Sequence, residues 1–256
     1  MYDPEARLRT LALIERGHSL RAVSRSTGIS RSTLRDWRDI PEKARRSRRS
    51  CPRCADDARL PEPCADYAYL LGLYLGDGSI SVAGDGTKGV WRLSIFCADD
   101  WPGLIQECVR VMRAIRPGNK VSAQQRQGCT EVNSYSKHWP CLFPQHGPGK
   151  KHLRAIELAP WQRVIVERYP GDFARGLFHS DGYRGINRVR PRREISERSY
   201  EYPRYLFVNR SQDILELCGQ ALDRLGVAWR FSKPGTISVA RKEAVARLDE
   251  FVGPKY

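Results

Sequence analysis

Two stretches of this 256-residue chain end alike, and the pair constrains its fold more than any other feature. Tyr69–Gly78 reads YLLGLYLGDG, and Phe173–Gly182, 104 residues later, reads FARGLFHSDG. Gly72 and Gly76 lie one helical turn apart, as do Gly176 and Ser180, so each helix has a side without bulk. Two such helices can pack backbone to backbone. Each stops at Asp-Gly, because Gly78 and Gly182 suit the left-handed position after a helix C-terminus. The pairing predicts Asp77 and Asp181 side by side, at helix ends whose partial negative charge favours a cation. That is a divalent metal site.

The likeness continues beyond the motif. Leu104, Ile105, Cys108, Met112 and Ile115 form an apolar helical stripe, and Ile214, Leu215, Cys218, Leu222 and Leu225 repeat it at a shift of 110. The six extra residues belong to the charged stretch Arg188–Glu201. Ser134–Lys137 matches Ser238–Arg241 at a shift of 104. An internal duplication accounts for all three.

The segments Leu70–Gly78 and Ala174–Gly182 resemble the two motifs of a single-chain LAGLIDADG (DOD-type) homing endonuclease, over roughly residue 66 to the end. The resemblance implies an α+β body, a pseudo-dimer of two αββαββα units. The motif helices would form its central seam, and saddle-shaped sheets would straddle the DNA major groove. It implies that Asp77 and Asp181, at the eighth motif position, are catalytic and hold Mg²⁺. The sixth position departs from the family's Asp, with Leu75 and His179, and Arg175 places a long cation near the seam. A basic or amide side chain assists each site in the family. Lys137 and Arg241, matched by the repeat, are the candidates, a solvated cation at a strand end being the other reading.

Charge agrees with a nucleic-acid partner. Lys+Arg 44 against Asp+Glu 29 gives +15, the electrostatic footprint of a DNA-binding chain. Residues 1–45 add a second signal. Helices over Pro4–Arg16, Leu20–Ser26 and Arg31–Arg38, broken at Gly17 and Gly28 and capped by Ser19 and Ser30, read as a helix-turn-helix. Leu8, Leu11, Ala12 and Ile14 point partly inward, while Ala22, Val23, Ile29, Leu34 and Trp37 fill a miniature core. Ser30, Arg31, Ser32 and Arg35 are offered to DNA.

Residues 46–65 form a linker that takes in the end of the basic run Lys43–Arg49. Cys51-Pro-Arg-Cys54 is half of a zinc site. Cys64, or the group His138, Cys141, His146 and His152, would complete it. Cys97, Cys108 and Cys218 read as core. The repeats then cover 66–158 and 159–256. No apolar run is long enough to span a membrane, and the N-terminus lacks a signal pattern, so a cytoplasmic protein is expected, a monomer because the two copies form a pseudo-dimer. It would cleave double-stranded DNA with Mg²⁺. The alternative is a non-cleaving transcriptional regulator on the same scaffold. The ends, Met1-Tyr2 and Gly253-Pro254-Lys255-Tyr256, argue against an intein, which needs a nucleophile first and His-Asn at the splice end.

Overall fold

The computed structural model describes residues 4–39, 51–54, 58–189, 200–253 and 255. The basic run at 43–49 and most of the insertion at 188–201 lie outside them. The chain divides into two compact units, Met1–Arg59 and Leu60–Tyr256.

In the first unit, α1 (Pro4–Glu15), α2 (Leu20–Thr27) and α3 (Arg31–Asp39) follow the expected boundaries within a residue. Ser19 accepts from the Ala22 N–H at 3.2 Å, and Ser30 caps α3 through the Thr33 N–H at 3.2 Å. Gly28 adopts φ 70° and returns its N–H to Ser24, a left-handed stop that favours glycine. Leu11, Val23, Ile29, Leu34 and Trp37 are the core. Leu8 and Ala22 are exposed instead. Leu11, one turn on from Leu8, fills the inward position on α1, and the inward side of α2 belongs to Val23.

The second unit repeats one plan twice. The first copy runs α4 (Cys64–Asp77), β1 (Gly78–Val82), β2 (Trp91–Ala98), α5 (Pro102–Ile115), β3 (Val121–Arg126) and β4 (Cys129–Ser136). After a one-turn helix, α6 (Trp139–Leu142), and α7 (Pro160–Arg168), the second copy runs α8 (Pro170–Asp181), β5 (Gly182–Val189), β6 (Tyr200–Val208), α9 (Gln212–Arg224), β7 (Arg230–Lys233), β8 (Thr236–Val239) and α10 (Lys242–Val252). Two antiparallel sheets result, ordered β1-β2-β4-β3 and β5-β6-β8-β7. Along β2 and β4, alternation turns Leu93, Ile95, Cys97 and Val132 inward onto the stripe of α5. Val227–Trp229 stays outside the last hairpin, which is short and carries a register shift between Phe231 and Lys233.

Both copies share a single core centred on α4 and α8, and α4 is buried from Tyr67 to Leu75. The glycines explain how the helices meet. A β-carbon on Gly72 would lie 2.6 Å from the Phe173 carbonyl oxygen, and one on Gly176 would lie 2.2 Å from that of Tyr69. Gly76 faces Ser180 in the same way, its β-carbon 2.1 Å from Ser180 Oγ. Gly78 and Gly182 correct the sequence reading. Their φ values are −91° and −92°, extended rather than left-handed. A side chain is excluded there by contact, since the β-carbon would meet the Cα of Tyr74 or Phe178 at 2.5 Å. Each motif helix therefore passes straight into a strand. Among the described residues no helix is long and apolar enough to cross a membrane.

Gly72→Ala should cost about 2–3 kcal/mol, because the added methyl meets backbone, which cannot rotate away. Gly118→Ala, where nothing lies within 4 Å, should cost far less; denaturant melts of both variants check the contrast.

Candidate metal centre

Asp77 and Asp181 are the last residues of α4 and α8, and the glycine seam delivers both to one place. A β-carbon on Gly76 would stand 3.1 Å from Asp181 Oδ2. Both aspartates are half-buried. Burial pushes the Asp77 carboxyl up to about 6, and the Asp181 charge pushes the same way. Burial raises Asp181 too, opposed by a hydrogen bond from Asn209 Nδ2 at 2.7 Å. Asn209 is held in turn by its Oδ1, which accepts from the Ser211 N–H at 2.8 Å.

Two lysines complete the group. Lys151 Nζ donates to the carbonyls of Tyr74, Leu75 and Gly76, the latter two at 2.9 and 2.8 Å, and so caps the end of α4. Lys255 Nζ donates to the carbonyls of Ser180 and Gly182 at 3.2 and 2.7 Å, at the end of α8. Cations here satisfy carbonyls that the helix leaves unpaired. Burial pushes Lys151 down to about 8, while the charges of Asp181 and Asp77 hold it up. Lys255 is lowered for the same reason.

These lysines escaped the sequence reading, although 151 and 255 differ by the same 104 as the aspartates. Gly149 and Gly253, both at positive φ, precede them at that spacing. The structure does not bring Lys137 and Arg241 into the group. Lys137 is exposed beyond β4, and Arg241 is the exposed N-cap of α10. The cations acting on the aspartates are Lys151 and Lys255. Sheet register also separates the two candidates. Ile95 pairs with Val132 and Phe207 with Ile237, which sets Arg241 against Ser136 rather than Lys137.

In the first unit, Arg31 and Arg35 are exposed on α3. Ser30 and Ser32 are exposed too, but their hydroxyls bond each other at 2.9 Å. Cys51 and Cys54 lie in one turn closed by the Cys54 N–H on the Cys51 carbonyl at 3.1 Å. Cys64 Sγ donates to the Pro61 carbonyl at 3.3 Å. Cys97, Cys108 and Cys218 are buried in the core, as expected.

Residues 1–46 match the model of a homeodomain-like domain. No curated protein matches the sequence. Among solved structures, a variant of the homing endonuclease I-DmoI in complex with its target DNA and magnesium is similar, with a TM-score of 0.51 and 16% identity over 75% of this chain and 98% of that one. Another I-DmoI variant, bound to its target DNA with manganese, has a TM-score of 0.50 and 18% identity over 75% and 95%. The body has the LAGLIDADG homing-endonuclease fold.

Within this LAGLIDADG body the two departures from the motif are accommodated by neighbouring helices. His179 Nε2 donates to the Val252 carbonyl at 2.9 Å, so its Nδ1 is free to accept from Tyr69 Oη, also at 2.9 Å. The neutral tautomer fits both bonds. Burial and the Arg175 charge accordingly push its pKa down to about 4. Arg175 leaves the seam over the Tyr69 ring, 4.6 Å from the centroid, and reaches Glu107 at 3.3 Å.

The depressed His179 pKa has a defined sign. The unfolded chain takes up the proton near 6.5 and the folded one near 4, so stability is lost as pH falls through that window. The loss should approach about 3 kcal/mol by pH 4, at about 1.4 kcal/mol per unit, and His179→Gln should flatten that part of the profile. Asp77 works the other way. Its raised pKa means that the ionised carboxylate destabilises the metal-free fold above about pH 6, and Asp77→Asn should raise the melting temperature at neutral pH. Thermal melts in chelator check both.

Proposed function

We propose that this protein is a Mg²⁺-dependent endonuclease that cleaves double-stranded DNA at specific sites, reading it through two DNA-binding units. The observation that carries the reading is the buried carboxylate pair at two helix ends. Each acid is pushed up by burial, and their like charge adds to the strain on Asp77. Buried oxygen ligands with surplus negative charge fit a hard divalent cation, which commonly takes one or two protein carboxylates. Asp77 and Asp181 would hold it. When bound, Mg²⁺ supplies charge stabilisation for the attacking and leaving oxygens and an activated water.

The chain's own residues do the rest. Asn209 holds the Asp181 carboxylate in place. Lys151, with its pKa lowered to about 8, stays largely charged at neutral pH and offsets part of the negative charge of the two carboxylates. Lys255 sits equivalently at the other helix end. One aspartate and one lysine from each copy suit the two strands of a duplex, whose backbones are themselves related by a twofold. Lys137 and Arg241, exposed and outside this group, suit backbone phosphate contacts. The homeodomain-like unit adds Arg31 and Arg35, and tethering it to the body raises affinity through effective concentration.

A library of plasmid-borne targets incubated with the full chain and Mg²⁺ tests the reading. The wild type should cut a defined site. Asp77→Asn and Asp181→Asn should each abolish cutting and keep affinity for that site. A wild type that binds a site tightly and leaves it intact in Mg²⁺ and Mn²⁺ overturns the nuclease reading in favour of a DNA-binding regulator. Deleting residues 1–45 should weaken binding and flatten its dependence on salt.

We also propose that Cys51 and Cys54, in one turn, are ligands of a structural zinc ion, of whose four ligands a Cys-x-x-Cys supplies half. Protein purified without chelator should carry about one equivalent of zinc, as a closed four-ligand site holds one ion. Cys51→Ser should lose it. Zinc-free wild-type protein would refute the site.

A further inference from the structure

The first sheet carries, on the face away from the core, a polar cluster that the metal centre does not use. Leu93, Ile95 and Val132 point inward, so Arg92, Ser94, Glu131 and Asn133 share the opposite face. Glu131 is only 3% exposed there. It accepts from Arg92 and from Ser94 Oγ, the latter at 2.6 Å, and takes Nε and Nη2 of Arg126 at 3.1 and 2.7 Å. Arg126 Nη2 also reaches Gln124 at 2.9 Å. One buried carboxylate thus fixes two guanidinium groups. Within this cluster two buried donors find no acceptor among the described residues, Arg92 Nε and Asn133 Nδ2. Buried donors without acceptors are uncommon in native proteins, and an approaching ligand supplies what they lack.

The second sheet is built differently at the same places. Pairing of Gly78 with Ile95 and of Gly182 with Phe207 aligns the copies. Arg204 then stands for Arg92, Ser238 for Asn133 and Thr236 for Glu131. Arg204 Nε donates to Ser238 Oγ at 2.9 Å. With threonine in place of the acid, no carboxylate fixes that arginine from this position.

We propose that Arg92 and Arg126, fixed by Glu131, read guanine in the half of a target duplex that faces the first sheet, and that the other half is read less strictly. The inference rests on the duplex-DNA reading above. Guanine presents O6 and N7 on one edge in the major groove, and an arginine fork matches both. A carboxylate on a surface that meets DNA repels phosphate, so it weakens sequence-independent attraction. Its gain is orientation: a guanidinium with one edge occupied presents the remaining N–H groups in a fixed direction.

Selection of tight binders from a randomised duplex pool, without divalent metal, tests this with the full-length wild type, Glu131→Gln and Arg126→Gln. The wild type should prefer guanine about tenfold or more at one or two positions of one half-site. Both variants should lose that preference and keep the profile of the other half. Glu131→Gln should bind random duplex at least as tightly as the wild type, with a steeper salt dependence. If Glu131→Gln fails to fold in a thermal melt, Arg126→Gln decides, since that side chain is half exposed. A guanine preference unchanged in the folded variants, or equal strictness in the two halves, overturns the inference. Sequence-indifferent binding by the wild type overturns it as well, whereas no binding to any duplex overturns the function proposed above.

Discussion

The close approach of two helix backbones at Gly72 and Gly176 is the constraint on which the rest of the body depends. With carbonyl oxygens 2.2–2.6 Å from where a β-carbon would stand, α4 and α8 can meet only where both lack side chains. That contact sets the helices' relative position, and the helix ends follow. Asp77 and Asp181 come together because each is the last residue of its helix. The strands begin at the next residue, so the sheets are fastened to the same seam. A shift of one residue in either motif would part the acids and rotate a sheet together.

The duplication is unequal at the seam, and the inequality is complementary. Residue 71 is Leu and its counterpart 175 is Arg; residue 75 is Leu and its counterpart 179 is His. Both polar departures lie in the second copy, and both are answered by the first. Tyr69 gives its hydroxyl to His179 and its ring to Arg175, while Glu107 takes the guanidinium. Two first copies would lack these polar groups. Two second copies would bring two arginines to the seam, with Phe173 in place of the Tyr69 hydroxyl. The pairing of unlike copies within one chain is therefore the best satisfied of the three, the kind of specificity that polar groups at a packed interface confer.

The parts of the fold set by periodicity were legible in the sequence. The small-residue turns of the motifs, the apolar stripes of α5 and α9 and the alternation in β2 and β4 each repeat with the period of their element. What escaped depends on contacts between segments distant in the chain. Gly78 and Gly182 look like helix stops, yet packing excludes their side chains while the backbone stays extended. Lys137 and Arg241 are aligned by counting residues, whereas hydrogen-bond register aligns Ser136 with Arg241. Lys151 opens a single 3-10 turn and Lys255 follows the last helix, and their equal spacing to the aspartates gains meaning only when both ammonium groups reach the helix ends.

Electrostatics then explains why the centre is built from opposed charges. Two acids at the negative ends of two helices form an unfavourable arrangement for the empty fold, and burial makes it worse. The lysines relieve it in part by satisfying the same terminal carbonyls that would otherwise add to the negative potential. They do so at the cost of their own hydration, which lowers the pKa of both. The balance leaves Asp77 raised to about 6, so the relief is incomplete. A site that still lacks positive charge after its own cations are in place favours a further cation, and this imbalance underlies the metal proposal.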